Sequence, residues 1–258
     1  MGTIKEVNKS GVATNVVGAG GLLHTVMDNY KFKWQVDLDD SLKFTHTIGY
    51  WQNNAQSSVQ SYLRQNGAQT FGNINSFANG AYNLVEQHLA NAVSLKSDTR
   101  GTFDFEVTGS WYTYLTSRQR GPSGVGSGLQ FSTAGTIARM DGTGWWTLDG
   151  KGIWRPEGIN GPHEVSFGVH GDQYILNNPT YVASNWLTSP DQGNGTLSTF
   201  GAGKTETWGF WAQEKWNFAP GWTATLGGRL DMWRAYDGYN ITGSTAVAQP
   251  PVQAGNFS

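Results

Sequence analysis

The sequence has no cysteine, few charges and no long apolar run, and each shortage excludes something. Without cysteine there are neither disulfides nor thiolate metal sites, although several compartments remain compatible. Charged residues are 14% of a 258-residue chain, against about 25% in ordinary globular domains. The formal net charge of −2 leaves no basic excess to neutralise phosphates, which argues against nucleic acid as a partner. No stretch approaches the ~20 apolar residues of a membrane helix. The opening MGTIKEVNKSG lacks the apolar core of a secretion signal. The chain is therefore expected to be either non-exported or a piece of something longer.

Catalytic constellations are missing too. His24, His46, His88, His163 and His170 show no metal-ligand spacing, and scattered structural histidines are the simpler reading. The Gly-Xaa-Ser-Xaa-Gly elbow of hydrolases does not occur. Carboxylates on alternate strand positions are accounted for by solvation without any acid–base role. Gly18–Gly21 has no preceding strand to make it a nucleotide loop. No enzyme activity, cofactor, metal or catalytic residue is assigned. Arg118, Arg120, Tyr181 and Trp186 lie in loops where they could meet an anionic or aromatic ligand. Ordinary surface solvation explains them as well, so the ligand-binding residues stay unknown.

What the chain does have is glycine, 35 residues of it, 12 tryptophans, and stretches of apolar residues in alternation. The clearest stretch runs from Lys204 to Arg234. Trp208, Phe210, Ala212, Trp216 and Phe218 share one parity, and Thr207, Gly209, Gln213, Lys215 and Asn217 the other. That is the period of a two-faced strand. Ala219-Pro220-Gly221 makes a turn, after which Trp222, Ala224, Leu226, Leu230 and Met232 resume the apolar face. Trp208 and Trp216 are separated by about 27 Å of strand at ~3.3 Å per residue. An inclined strand of that reach matches the apolar band between the aromatic girdles of an outer-membrane barrel. A soluble sandwich explains this hairpin alone equally well.

Six further strands follow from the same pattern, beginning near Tyr30, Leu42, Asn83, Phe103, Trp146 and Val165. Asn83–Lys96 also admits a helix on its spacing. Residues 1–29 read as an irregular segment, and Trp51–Tyr82, Thr116–Gly144, Asn177–Gly203 and Tyr236–Gly255 as long loops. Short turns near 39, 99, 159 and 220 alternate with these loops. Barrels of the outer membrane connect their strands this way, with short periplasmic turns and long extracellular loops. Asp104, Glu106, Asp149, Lys151, Asp172, Arg229 and Asp231 all fall on the polar parity, sensible in a wet lumen and costly in a dry core. Two polar residues, Glu214 and Arg234, intrude on the lipid-facing parity, and His46 is a third exception. The fold expected is an all-β, antiparallel, up-and-down transmembrane barrel segment whose sheet is open. Tyr30–Leu38 and Trp222–Arg234 are expected to be its two unpaired edges.

Trp208-Gly209-Phe210-Trp211-Ala212-Gln213-Glu214 and Thr225-Leu226-Gly227-Gly228-Arg229-Leu230-Asp231 resemble the barrel of TonB-dependent outer-membrane receptors. An aromatic-x-Gln-Asp/Glu strand and a Gly-x-Arg-aromatic-Asp strand flank a periplasmic turn there, with Leu230 here in the aromatic place. Asn256-Phe257-Ser258 looks like the entry to a next strand. The resemblance implies a barrel of 22 strands around a plug, of which residues 30–258 would be about eight strands, without plug or C-terminal strands. It implies location in the cell outer membrane, contact with membrane lipid, and uptake of a scarce nutrient, such as a ferric siderophore, energised by the TonB complex. Two other readings compete. One is a complete small eight-stranded barrel with a structural or adhesion role, the other a soluble carbohydrate-binding β-sandwich in which the aromatics stack on sugars.

Overall fold

A computed structural model describes residues 2–243 apart from 127 and 129. All eight expected strands are present, and Asn83–Lys96 resolves as a strand. A small hairpin, β1 (Ile4–Val7) with β2 (Ala13–Val16), precedes β3 (Gly18–Asp37) and β4 (Leu42–Ser61). A second small hairpin, β5 (Arg64–Gln65) with β6 (Ala68–Gln69), and a 3-10 turn over Asn75–Gly80 lead to β7 (Tyr82–Ser97). β8 (Phe103–Pro122), β9 (Gly135–Arg139), β10 (Gly144–Trp154), β11 (His163–Ala183), β12 (Leu197–Ala219) and β13 (Trp222–Thr242) complete the chain. The main sheet runs β3-β4-β7-β8-β10-β11-β12-β13, each strand antiparallel to the next, with β9 set above β10 between β8 and β11.

Residues 2–29, within the segment 1–29 expected to be irregular, are not so. They carry β1, β2 and the first half of β3, and β4 likewise continues through residues expected to be loop. The same holds for the upper ends of β8, β11, β12 and β13. The physical reason is common to all of them. Above the apolar band neither face must meet lipid, so the alternation fades, while the backbone ladder still needs its hydrogen bonds. The closing Asn256–Ser258, expected to enter a further strand, lies outside the described residues.

The register carries one apolar face across the whole sheet. Trp34, His46, Val93, Gly109, Leu148, Gly171, Trp208 and Met232 form one cross-strand row. Val36, Phe44, Leu95, Val107, Gly150, Val169, Phe210 and Leu230 form the next. Directly opposed residues share a face, so the expected lipid-facing parity is continuous. It is also bare: Phe32 is 62% exposed, Leu230 62% and Leu226 80%. A contiguous patch of this kind does not persist in water.

The polar intrusions on that face are internally satisfied. Trp34 Nε1 donates to His46 Nδ1 at 3.1 Å, and His46 Nε2 lies 3.3 Å from Asn91 Oδ1. Glu214 Oε1 is 2.8 Å from His163 Nδ1, beneath the stacked ring of Trp216. Arg234 and the indole of Trp208 both donate to Glu206, at 2.8 and 2.6 Å. Gln173 bonds both the Trp146 indole and Tyr236, whose hydroxyl donates on to Glu206. Amphipathic rings with their N–H groups tied to polar partners are what a membrane interface selects.

Glycine has a specific use here. A Cβ added at Gly171 would sit 2.7 Å from the ring of Trp208, and one at Gly168 the same distance from Trp211 Nε1. Each large ring therefore lies across the bare backbone of the neighbouring strand, which covers the glycine and fixes the ring. In the motif stretch, Arg229 and Asp231 lie over Gly209 in the same manner.

Among the described residues β3 pairs only with β4 and β13 only with β12. No ladder joins the two, so the sheet is open as expected. At its lower rim the short connections fall at 38–41, 98–102, 155–162 and 220–221.

Candidate functional site: the polar face and its aromatic row

The second face carries the charges. Arg229 bonds Asp231 at 2.8 Å, and His170 lies between Asp149 and Asp172 at 2.7 and 3.0 Å. Lys31, Glu106, Asp172 and Arg229 all share this face in the register. His170 is placed by two carboxylates that fix its ring without forming any nucleophile–base pair.

Above these charges the polar face bears a row of aromatic rings that alternation alone did not single out. It crosses five strands: Trp51 on β4, His88 on β7, Tyr112 and Tyr114 on β8, Trp145 on β10 and Tyr174 on β11. Tyr112, Trp145 and Tyr174 are direct cross-strand neighbours, as are Trp51, His88 and Tyr114. His88 stacks on Tyr114 at 3.9 Å, Tyr112 on Trp145 at 4.2 Å, and Trp145 on Tyr174 at 5.8 Å. The Tyr112 hydroxyl is 2.7 Å from His88 Nδ1. His88 is itself buried, and its Nε2 has no protein partner. The signal in the sequence was five aromatics on the parity otherwise given to Asp, Lys, Ser and Thr.

Ring orientation decides what this row can do. In the interior of the row the ring faces are taken up by neighbouring rings, and the Tyr112 hydroxyl by His88. A sugar platform needs free ring faces, and only the ends of the row have them. Shallow hollows flank the row on the β3–β7 side, where Gly49 and Ala90 occupy the row positions between Lys31 and Tyr112.

Beyond the row, a bulge at Leu115 exchanges the faces of β8. Tyr114 pairs with His88 but Thr116 with Gln87, so an extra residue is inserted and the parity flips. Arg118 and Arg120 therefore leave the side of Tyr112 and Tyr114. Arg118 opposes Arg139 across the strands, a like-charge pair that Asp141 relieves by contacting both. Asp191 lies 2.7 Å from Arg120 and 3.0 Å from Arg118, and Arg120 also donates to the carbonyls of Ser189 and Trp186. These arginines bind the connection at 184–196 to the sheet, so their charge is matched from within. Tyr181 pairs with Leu197 and Ile137 as part of the ladder. On the next connections, Phe71 stacks on Phe131 at 4.6 Å and touches Phe77.

Asp141 makes this cluster acid-sensitive. Burial works to raise its pKa, but the Ser117 amide and the Arg139 and Arg118 guanidiniums outweigh it, and the carboxyl sits below the usual range. A depressed folded pKa stabilises above the unfolded value, and that contribution vanishes as pH falls through the folded one. A spin label at Met140→Cys, next to Asp141 and the sole thiol in the chain, should thus keep the same restricted mobility from pH 7 to about 5. It should loosen only below about pH 4. Loosening near pH 6 would contradict the carboxylate assignment.

Residues 21–258 match the model of the family described as TonB dependent receptor-like, beta-barrel. The chain belongs to this family. No curated protein matches the sequence. Among solved structures, the chain is similar to the ferripyoverdine receptor of the outer membrane of Pseudomonas aeruginosa bound to ferripyoverdine, with TM-score 0.57 and 12% identity. It is similar also to the P. aeruginosa receptor FpvA bound to a heterologous pyoverdine (0.56, 14%) and to FpvAI in complex with pyocin S2 (0.56, 12%). Each match covers 87% of this chain but 33% of the other, so the chain spans about a third of their length. The β-barrel family makes the apolar face the lipid side and the polar face the lumen side. The short connections at 38–41, 98–102, 155–162 and 220–221 then mark the periplasmic rim, and the aromatic row stands toward the extracellular mouth.

Proposed function

We propose that this chain is part of the wall of an outer-membrane receptor that takes up a scarce nutrient, a ferric siderophore, in a TonB-dependent manner. The strands β3 to β13 would supply part of the barrel wall, and a plug and further strands would complete it. The observation that carries the reading is the two-faced register itself. Eight strands hold one apolar face outward, its few polar residues bonded among themselves, and a charged face inward, and above the charges stands an aromatic row at the mouth side. The likeness to receptors solved with ferripyoverdine supports the choice of iron chelates, and an open two-faced sheet suits a segment of a larger wall.

The test is genetic. Deleting the coding region from its native host should abolish membrane-potential-dependent uptake of radiolabelled iron from at least one chelate under iron limitation, and complementation should restore it. Undiminished uptake of every chelate offered would sink the iron reading. A chain recovered folded and monodisperse without detergent would sink the membrane reading as well.

A further inference from the structure

The chain contains Asn-Gly pairs at Asn66-Gly67, Asn79-Gly80, Asn160-Gly161 and Asn194-Gly195. Such a pair is chemically labile, because glycine has no Cβ to shield its amide nitrogen from the neighbouring carboxamide carbon. With glycine following in each case, only the fold can rank them. Three are held. Asn194 accepts the Thr196 amide on Oδ1 at 2.9 Å, and the Gly195 amide donates to the Gln192 carbonyl at 2.8 Å. The Gly161 amide donates to the Gly158 carbonyl at 3.0 Å. Asn79 belongs to the 3-10 turn beside the buried Phe77 and Ala78, and Ser57 Oγ donates to the Gly80 carbonyl at 2.7 Å. Gly80 is packed so closely that an added Cβ would stand 2.6 Å from Val59. Asn66-Gly67, in the connection from β4 to β7 on the mouth side, differs on each count. Both residues are exposed and left-handed, with φ of 52° and 81°, and a Cβ on Gly67 would meet nothing within 4 Å. The Gly67 amide donates to no backbone carbonyl among the described residues.

We infer that Asn66 is a site of spontaneous backbone modification, converting through a succinimide to aspartate and isoaspartate. The Gly67 nitrogen gives up its proton to water and attacks Asn66 Cγ. The new C–N bond closes a ring, and the side-chain nitrogen takes up a proton and leaves as ammonia. Water then opens the ring. Addition at Cγ breaks the new bond and leaves aspartate on the original main chain. Addition at the Asn66 main-chain carbonyl breaks the old peptide bond instead and routes the chain through Cβ. The sum is carboxamide plus water to carboxylate plus ammonium, with no oxidant or cofactor. Attack needs Asn66 to swing its Cγ onto the Gly67 nitrogen, which a closed turn resists. Here the turn opens readily. Its hairpin holds only two cross-strand pairs, Arg64 with Gln69 and Gln65 with Ala68, and so short a ribbon is marginal by itself. Below it the chain is fastened. Ser61 Oγ donates to the Thr70 carbonyl at 2.6 Å, and the Thr70 amide to the Leu63 carbonyl at 3.1 Å. The change is therefore confined to residues 64–69. Aspartate-glycine still suits the turn, but isoaspartate lengthens the main chain and spoils its two-residue reach. Either product adds a negative charge close to Arg64.

The experiment ages the folded chain in membranes of its host at mildly alkaline pH. Tandem mass spectrometry follows the peptide around each Asn-Gly pair, and isoaspartyl methyltransferase labelling marks the lengthened product. The same chain in concentrated guanidinium chloride supplies the unfolded rate of every pair. Folding should slow Asn79, Asn160 and Asn194 by about tenfold or more, because each held site must first open, and Asn66 by much less than any of them. Isoaspartate should appear at Asn66 together with aspartate. Protection of Asn66 as large as that of any of the other three would overturn the inference. Aspartate without isoaspartate would also overturn it, since direct hydrolysis of the side chain leaves the main chain untouched.

Discussion

Val107→Arg should destabilise the membrane-inserted chain by about 2–4 kcal/mol, while the adjacent Thr108→Arg should be nearly neutral. Val107 lies on the lipid face of β8, midway between Phe103 near the lower rim and Trp111 near the upper girdle, and is 43% exposed. Its row neighbours are Leu95 and Gly150, neither of which offers a carboxylate. An arginine there must drag its charge into hydrocarbon or distort the strand to reach an interface. Thr108 points the other way, bonded to Ser94 and opposite Asp149, so a guanidinium would enter water beside an acid. Urea titration of the chain refolded into lipid vesicles gives both numbers. Equal cost at the two positions would show that the faces are misassigned.

A comparable loss is expected at the periplasmic rim. Arg155 donates to Asp104 at 2.7 Å and to Glu164 at 2.8 Å, tying the turn after β10 to β8 and β11. The Asp104 side chain is 6% exposed and also accepts the Thr99 amide at 2.6 Å and Ser97 Oγ at 3.1 Å. Arg155→Ala leaves that carboxylate buried without its cation, which costs about 3–5 kcal/mol. Arg155→Lys should recover only part of this, because one ammonium cannot hold both carboxylates as a planar fork does. Replacing both partners, Arg155→Met with Asp104→Leu, should be milder than Arg155→Ala alone, since no uncompensated charge remains. A double variant worse than the single one by the same urea titration would show that the amide and hydroxyl contacts of Asp104 matter more than its charge pairing.

How much of this was legible in the sequence follows from what each residue must face. Where strands cross lipid, every second residue is held apolar, and Trp208–Phe218, Phe103–Trp111 and Tyr30–Val36 announced their faces and register. Where the same strands rise above the lipid, nothing imposes a period, and the ladder through Gln52–Ser61 or Leu197–Thr205 left no pattern to read. The aromatic row was hidden for another reason. Tyr112, Trp145 and Tyr174 are about 30 residues apart in the chain and meet only through pairing with neighbouring strands. Their parity was visible, their stacking was not. The bulge at Leu115 was equally silent, and with it the reason Arg118 and Arg120 serve the loop instead of the lumen.

The register also settles the size of the arc. The row through Trp34 stands three residues above the lower end of β3, yet the same row at Trp208 stands eleven above the lower end of β12. Those eight residues, about 26 Å at ~3.3 Å each, are gained over six strand steps of ~4.8 Å, or about 29 Å. A row of hydrogen-bonded neighbours is thus a staircase of about 40°, and each strand takes up about 6 Å of circumference. Eight strands cover about 50 Å of perimeter. Closed on itself, that perimeter would leave a bore only wide enough for side chains. With β3 and β13 unjoined it is an arc, and an arc can belong to a ring wide enough to pass a bulky solute.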